Sequence, residues 1–220
     1  MRNSYGDDAA VIAGGTFIGV LMSQKVLAPS ALLALHRVPE LKGIASEQQL
    51  RIGATTTHRE IERSALVRAN CPVLAYTFSQ VASPRIRNRA TIGGVLANAD
   101  YASDPPAMLH ALNATVIART HQSERAIPVE DLITGYYETT LRPDELIIEI
   151  RTAPTKRAIY RKFRSRSSED RPCVAVAAAY HTGNGDDGDI LQVAIGAVAE
   201  QGVRLFRPLV AQEECNKWSE

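Results

Sequence analysis

The sequence predicts an α+β fold, and three features carry that expectation. Two apolar runs end in glycine pairs, "AAVIAGG" at 9–15 and "ATIGG" at 90–94. Between them lies a helix-rich stretch with its own start and stop signals, "TTTHREIERSALV" followed by "PVLAYTFSQVA". Near residues 153–155 the pattern changes to three apolar runs of strand length, "AIYRKFRS", "CVAVAAAYHT" and "ILQVAIGAVA".

Taken in order, "AAVIA" reads as a short buried strand broken by Gly14 and Gly15, and "TFIGVLMSQKVL" as a helix opening at Thr16, a good capping residue. "ALLAL" at 31–35 is open between strand and helix. "GIAS" and "LRIGA" read as strands paired around the turn "EQQ". Thr57 and Glu60 stand in the S/T-x-x-E relation of a capping box, so each can satisfy an orphan N–H at the start of the helix that follows. Pro72 opens a second helix, with Leu74, Phe78 and Val81 on one face and Pro84 as its stop. "PPAMLHAL" reads as a short helix begun by proline, then "ATVIA", "RAIPV" and "ELIIEI" as strands. The last two strands flank "GNGDDGD", a turn-rich loop, and imply antiparallel sheet in a separate small domain.

Of the 220 residues 45% are hydrophobic, enough for one large or two modest cores. Lys and Arg number 25 against 24 Asp and Glu, so the chain lacks the basicity of a nucleic-acid binder. Its basic cluster, Lys156, Arg157, Arg161, Lys162, Arg164, Arg166 and Arg171, reads as a solvated strand face. Cys71, Cys173 and Cys215 are odd in number and widely spaced, so neither a disulfide framework nor a metal site is expected. The apolar run at 9–22 follows Asp7 and Asp8 and is shorter than the ~20 residues that span a bilayer, so a cytoplasmic protein with no membrane span is expected.

A Gly-Gly turn has no Cβ to block approach, so successive N–H groups can converge on an anion. Two such corners suit a dinucleotide diphosphate, because hydrogen bonds to a charged partner contribute roughly 1.5–3 kcal/mol each. A Rossmann site fits badly. "GGTFIG" is not G-x-G-x-x-G, and neither His36 nor Glu40 ends a second strand convincingly.

Five ordered blocks, "AGGTFIGVLM", "RIGATTTHREIERSALV", "SPRIRNRATIGGVLANADYASDPPAMLHALNA", "YYETTLRPDELIIEI" and "YRKFRSRSSEDRPCVAVAAA", resemble the FAD-binding medium subunit of molybdenum hydroxylases, a family that includes carbon monoxide dehydrogenase and xanthine dehydrogenase. The resemblance covers about residues 9–200. It implies an FAD-binding PCMH-like fold of the vanillyl-alcohol-oxidase type, with two subdomains at 1–52 and 53–154 and a partial antiparallel-sheet domain at 155–220, and a chain expected to be shortened at both ends. It implies that Ala13, Gly14, Gly15, Thr16 and Phe17, with Thr91, Ile92, Gly93, Gly94 and Val95, embrace the FAD diphosphate. Asp104 matches a family acid that contacts FAD, and Lys162 a family lysine near the cofactor. A second role open to Asp104 is capping the helix that Pro105 opens. Val95 departs from the family's asparagine and loses one side-chain hydrogen bond.

The resemblance further implies an electron relay. FAD collects electrons from the 2Fe–2S clusters of a small partner subunit, fed by a large molybdopterin subunit, and passes them to an external acceptor. The flavin does the redox chemistry, so no general base is assigned, and His58, His110, His121 and His181 are expected at the surface or the core edge. A truncated remnant that docks on partners without retaining FAD is the alternative.

Overall fold

The computed structural model describes residues 8–167, 169–182 and 189–199, together with the backbone of residues 203–206. The chain opens with a βαβ unit. β1 (Ala9–Ile12) pairs in parallel with β2 (Ala31–Ala34), and α1 (Ile18–Ser23) joins them. The ambiguous run at 31–35 is therefore strand. β1 is half-buried rather than buried, because two strands and one short helix that buries none of its residues offer little cover. The helix starts at Ile18 and not at Thr16. Gly15 sends the chain through the left-handed region, at φ +74°, so the helical turn begins later, with Phe17 as a cap that makes no side-chain bond.

β3 (Ile44–Ser46) and β4 (Leu50–Gly53) pair as expected, around residues 47–49. The helical layer follows: α2 (His58–Arg63), α3 (Ala65–Asn70), α4 (Pro72–Ser79), α5 (Pro84–Arg87), α6 (Ile92–Asn98) and α7 (Asp104–Ala111). The capping box forms: Glu60 N–H donates to Thr57 Oγ1 at 3.2 Å, and Thr57 N–H donates to Glu60 Oε2 at 2.9 Å. The single helix expected over "TTTHREIERSALV" is two, because Ser64 is extended and accepts from Val67 N–H as the cap of α3. Pro84 ends nothing directly. α4 is over by Ser79, and the proline opens α5 instead.

β5 (Thr115–Arg119) and β6 (Glu124–Pro128) form a hairpin, and α8 (Val129–Leu132) with the small pair β7 (Ile133–Gly135) and β8 (Glu138–Thr139) leads to β9 (Leu146–Thr152). The five-stranded sheet has the order β3-β4-β9-β5-β6, every neighbour antiparallel, so residues 44–53 and 115–152 share one sheet. A second antiparallel sheet, β10 (Ala158–Phe163), β11 (Val174–His181), β12 (Ile190–Gly196) and β13 (Val203–Phe206), closes the fold; residues 183–188 of the expected turn lie outside the described residues.

α7 holds the two sheets together. All eight of its residues are buried, the apolar ones in the core and Asp104 and His110 with them. The strands facing it carry Ala175, Ala177, Ala179 and Ala194, side chains small enough for close approach. These alanines and Tyr160 belong to the same core cluster as Ile52, Phe78 and Leu109, so the C-terminal sheet shares the core of the rest.

Candidate functional site

Gly14 and Gly15 turn the chain just beyond β1. A Cβ on Gly14 would lie 2.0 Å from the carbonyl oxygen of Arg89, so the first corner packs directly on the backbone that leads into Thr91. Ala13, Gly14, Gly15 and Thr16 are half-buried, and Phe17 stacks on Tyr137 with ring centroids 5.7 Å apart. The N–H groups of Gly14, Gly15, Thr16 and Phe17 meet no acceptor among the described residues. Four adjacent donors without partners suit a bound anion.

The second corner differs from its expectation. Thr91 is extended and bridges Thr57, but Ile92, Gly93, Gly94 and Val95 form the first turn of α6 rather than the end of a strand. Helix formation wins because Thr91 Oγ1 accepts from Gly94 N–H at 3.2 Å, a cap the apolar pattern conceals. The remaining N–H groups are also engaged. Ile92 donates to Thr56 O at 3.1 Å, Gly93 to Ala54 O at 2.9 Å, and Val95 to Thr91 O at 3.0 Å. Gly93 is required by close packing, since a Cβ there would lie 2.7 Å from the Cβ of Ala54. The second corner thus supplies shape and the Thr91 hydroxyl, while open main-chain donors belong to the first.

Asp104 and Lys162 come together. Lys162 Nζ lies 3.0 Å from Asp104 Oδ1, and it also donates to Gln80 O at 2.7 Å and Asp170 O at 3.2 Å. Tyr160 donates its hydroxyl proton to Asp104 Oδ1 at 2.6 Å. Burial pushes the Asp104 carboxyl up, against the pull of Tyr160 and Lys162, and burial with the facing carboxylate pushes the Tyr160 phenol up. Asp104 is the first helical residue of α7, behind the cap position of Ser103, and does not cap the helix. Lys162 has all three protons engaged inside the protein. Tyr160 escaped the sequence reading, although it stands two residues before Lys162 and so on the same strand face.

Of the rest of the basic cluster, Lys156, Arg157, Arg161, Arg166 and Arg171 are exposed, as expected of a solvated face, and Arg164 is half-buried; several of these side chains also have partners. Arg164 donates to Gln80 Oε1 at 2.9 Å, and Arg157 lies over Tyr180 at 5.1 Å. Arg171 pairs with Asp100 and lies 5.7 Å from the centre of Tyr101, whose ring meets Tyr136 edge-on. Asp170 fastens this loop by accepting from Ser165 Oγ and from the N–H groups of Arg166 and Ser167. Lys162 thus holds the buried Asp104, while Arg171 lies against Tyr101 of the Tyr101–Tyr136 pair.

Of the histidines, His58 and His110 are buried rather than at the surface, and His181 Nε2 bonds Ala111 O at 2.8 Å. Burial pushes the Cys71 thiol up to about 11, so it is an inert core group. Among the described residues no cluster of His, Cys, Asp and Glu could hold a metal, and no helix is long and apolar enough to cross a membrane.

Comparison with known proteins fits this arrangement. Residues 1–153 match the family model "FAD binding domain in molybdopterin dehydrogenase". The chain is 42% identical over 146 residues to the 6-hydroxypseudooxynicotine dehydrogenase complex subunit alpha of Paenarthrobacter nicotinovorans, covering 66% of this chain and 49% of the relative. It is 34% identical over 152 residues to the carbon monoxide dehydrogenase medium chain of Hydrogenophaga pseudoflava, covering 69% and 53%. The chain thus spans about half the length of these relatives. Among solved structures, a chain of carbon monoxide dehydrogenase from Hydrogenophaga pseudoflava superposes with a TM-score of 0.84 at 28% identity, over 96% of this chain and 77% of that one. Quinoline 2-oxidoreductase from Pseudomonas putida 86 gives 0.83 at 26% identity, over 97% and 78%. With the family model covering well over half of it, the α+β chain belongs to the FAD-binding domain family of molybdopterin dehydrogenases.

Proposed function

We propose that this chain is the flavoprotein subunit of a molybdenum-containing dehydrogenase, binding FAD and passing electrons from a partner's 2Fe–2S clusters to an external acceptor. The observation that carries the reading is the row of unpartnered N–H groups at Gly14, Gly15, Thr16 and Phe17, packed against the approach to Thr91. These residues fit a diphosphate: four consecutive main-chain donors have no acceptor among the described residues, and no side chain stands on the two glycines to obstruct an anion. Ala13 is the first residue beyond β1 and leads into the corner, and Thr16 and Thr91 add hydroxyls. Ile92, Gly93, Gly94 and Val95 form the opposing wall. Val95 packs partly on the core, so its replacement of a polar side chain leaves the wall intact.

FAD, when bound, supplies two-electron chemistry at its isoalloxazine, and the protein's part is binding, orientation and electrostatics. Asp104 is the acceptor this chain offers to cofactor hydroxyls, since a carboxylate bonded to Tyr160 and Lys162 retains acceptor capacity. Lys162 holds that carboxylate in place. The dehydrogenase activity, the iron–sulfur small subunit and the molybdopterin large subunit come into this reading from the family and from relatives named as subunits of such complexes.

The test uses the full chain, purified, mixed with FAD and passed over a gel-filtration column. The reading expects visible flavin absorbance to travel with the protein, one FAD per chain, and no oxidation of carbon monoxide, purines or nicotine-type heterocycles by the chain alone. A folded, colourless protein would favour a docking remnant, and substrate turnover by the isolated chain would remove the relay.

A further inference from the structure

His58 is the one described side chain with both of its polar atoms buried and without a hydrogen-bond partner. It is 1% exposed, at the first position of α2, and its ring meets Phe78 of α4 edge-on with centroids 4.8 Å apart. Its own N–H donates to Ala90 O at 2.9 Å, while the residue before it bridges Thr91 and the residue before that accepts from Ile92 N–H. The imidazole therefore stands behind the second glycine corner, at the point where α2 is stitched to it.

We propose that His58 is a positioning residue for the cofactor corner, holding residues 90–95 in place only as the neutral imidazole, so that its protonation opens the corner and releases FAD. This rests on the flavin reading above. An imidazolium there would bury a charge whose two N–H donors have one main-chain group to meet, that of Thr91, and no side chain that carries the opposite charge. Burial is the main reason that the His58 pKa falls to about 4; the Thr91 main chain opposes it, and Arg87 adds to the fall by less.

The neighbouring charged and titratable groups offer no compensation. On α2 itself, Glu60 is engaged by Lys42 at 2.8 Å, and Glu62 by Arg59 at 2.7 Å and Arg87 at 3.0 Å. On α3, Arg68 donates to Glu62 O, and on α4 and its cap the groups are Tyr76 and the thiol of Cys71. On α5, Arg87 is held by Val81 O and Ala82 O as well as by Glu62, and Arg89 beyond it is exposed. The sign is that of a base whose pKa is lowered on folding. The corner is fully held above about pH 6.5, the ordinary histidine value, and loses support as pH falls toward 4.

The experiment measures the FAD dissociation constant of the full chain by flavin fluorescence as pH falls from about 7.5 to about 3, with far-UV circular dichroism on the same samples. The expected result is a constant affinity at neutral pH, then weakening by about tenfold per pH unit once His58 titrates, before the dichroism changes. His58→Phe keeps a flat ring but cannot be protonated. It is expected to bind FAD more weakly at neutral pH and to lack the acid limb. A proton NMR titration of the assigned His58 ring in the wild-type chain makes the test independent of how that variant folds, and its midpoint should coincide with the onset of FAD release. A ring that titrates near 6.5, an acid limb that persists in His58→Phe, or FAD release that only accompanies loss of dichroism would overturn the proposal. A wild-type chain that takes up no FAD at neutral pH would remove the flavin reading, and this proposal with it; each of the other failures removes this proposal alone.

Discussion

Gly14 and Gly15 are adjacent, yet they need to be glycine for different reasons, and the difference can be measured. Gly14 lacks room: a Cβ would meet a backbone carbonyl at 2.0 Å, and backbone cannot swing aside. Gly15 has room, with its nearest neighbour the flexible end of Ile12 at 3.3 Å, but its φ of +74° strains an L residue. Gly14→Ala should therefore cost about 3 kcal/mol in denaturant unfolding and detach the first corner from Arg89. Gly15→Ala should cost about 1 kcal/mol. The reverse ranking would contradict this packing. Glu145 is a residue of another kind. Its carboxylate is bonded by Arg125 at 2.7 and 2.8 Å and by the Arg142 N–H at 2.7 Å, and chiefly because of Arg125 its pKa falls from 4.5 to about 2. Its stabilisation is present above about pH 4.5 and lost as pH falls toward 2. Glu145→Gln should lower stability by about 2 kcal/mol near neutral pH and flatten the stability curve across that acid window, as urea unfolding at several pH values would show. At this scale the sequence was legible where the chemistry is local. Thr57 and Glu60 are three residues apart and announce their capping box; Asp104 and Lys162 are 58 residues apart and announce nothing, and only the resemblance singled them out.

Among the elements, α7 depends most on others. The carbonyls at its C-terminal end are taken from outside the helix: His110 O by Gln192 Nε2 at 2.8 Å, Ala111 O by His181, and Leu112 O by Thr152 Oγ1 at 3.2 Å. The two sheets together thus cap the helix that fills the core, the second through Gln192 and His181 and the first through Thr152. Gln192→Ala should cost about 1–3 kcal/mol, because it strips a fully buried bond, with little change in the denaturant slope. A loss of only a few tenths of a kcal/mol would mean that water replaces the amide. α7 was readable from its prolines, and the hairpin of β3 and β4 from its turn. α6 was not, because "ATIGG" carries the composition of a strand end while its helix is set by one threonine cap and by Gly93 fitting against Ala54. The break at Ser64 was equally hidden: a serine inside an amphipathic run looks like one more polar position until its hydroxyl is seen accepting from Val67.

For the whole molecule, the sequence conveyed the class of fold and the change of pattern near residues 153–155, since both follow from local periodicity. It did not convey that β9 sits between β4 and β5, or that the second sheet shares a core with the first, since strand order depends on contacts far apart in the chain. The candidate site reflects the same division. Both glycine corners were visible, but which of them has N–H groups to give depends on Thr56 and Ala54, which approach from another element. The central claim is that the diphosphate is taken by the first corner. It is tested most directly by following the backbone amides of the labelled chain by proton–nitrogen NMR as FAD is added. The amides of Gly14, Gly15, Thr16 and Phe17 should move together and saturate at one FAD per chain. If FAD binds and those four stay where they were, the diphosphate lies elsewhere and the account is contradicted.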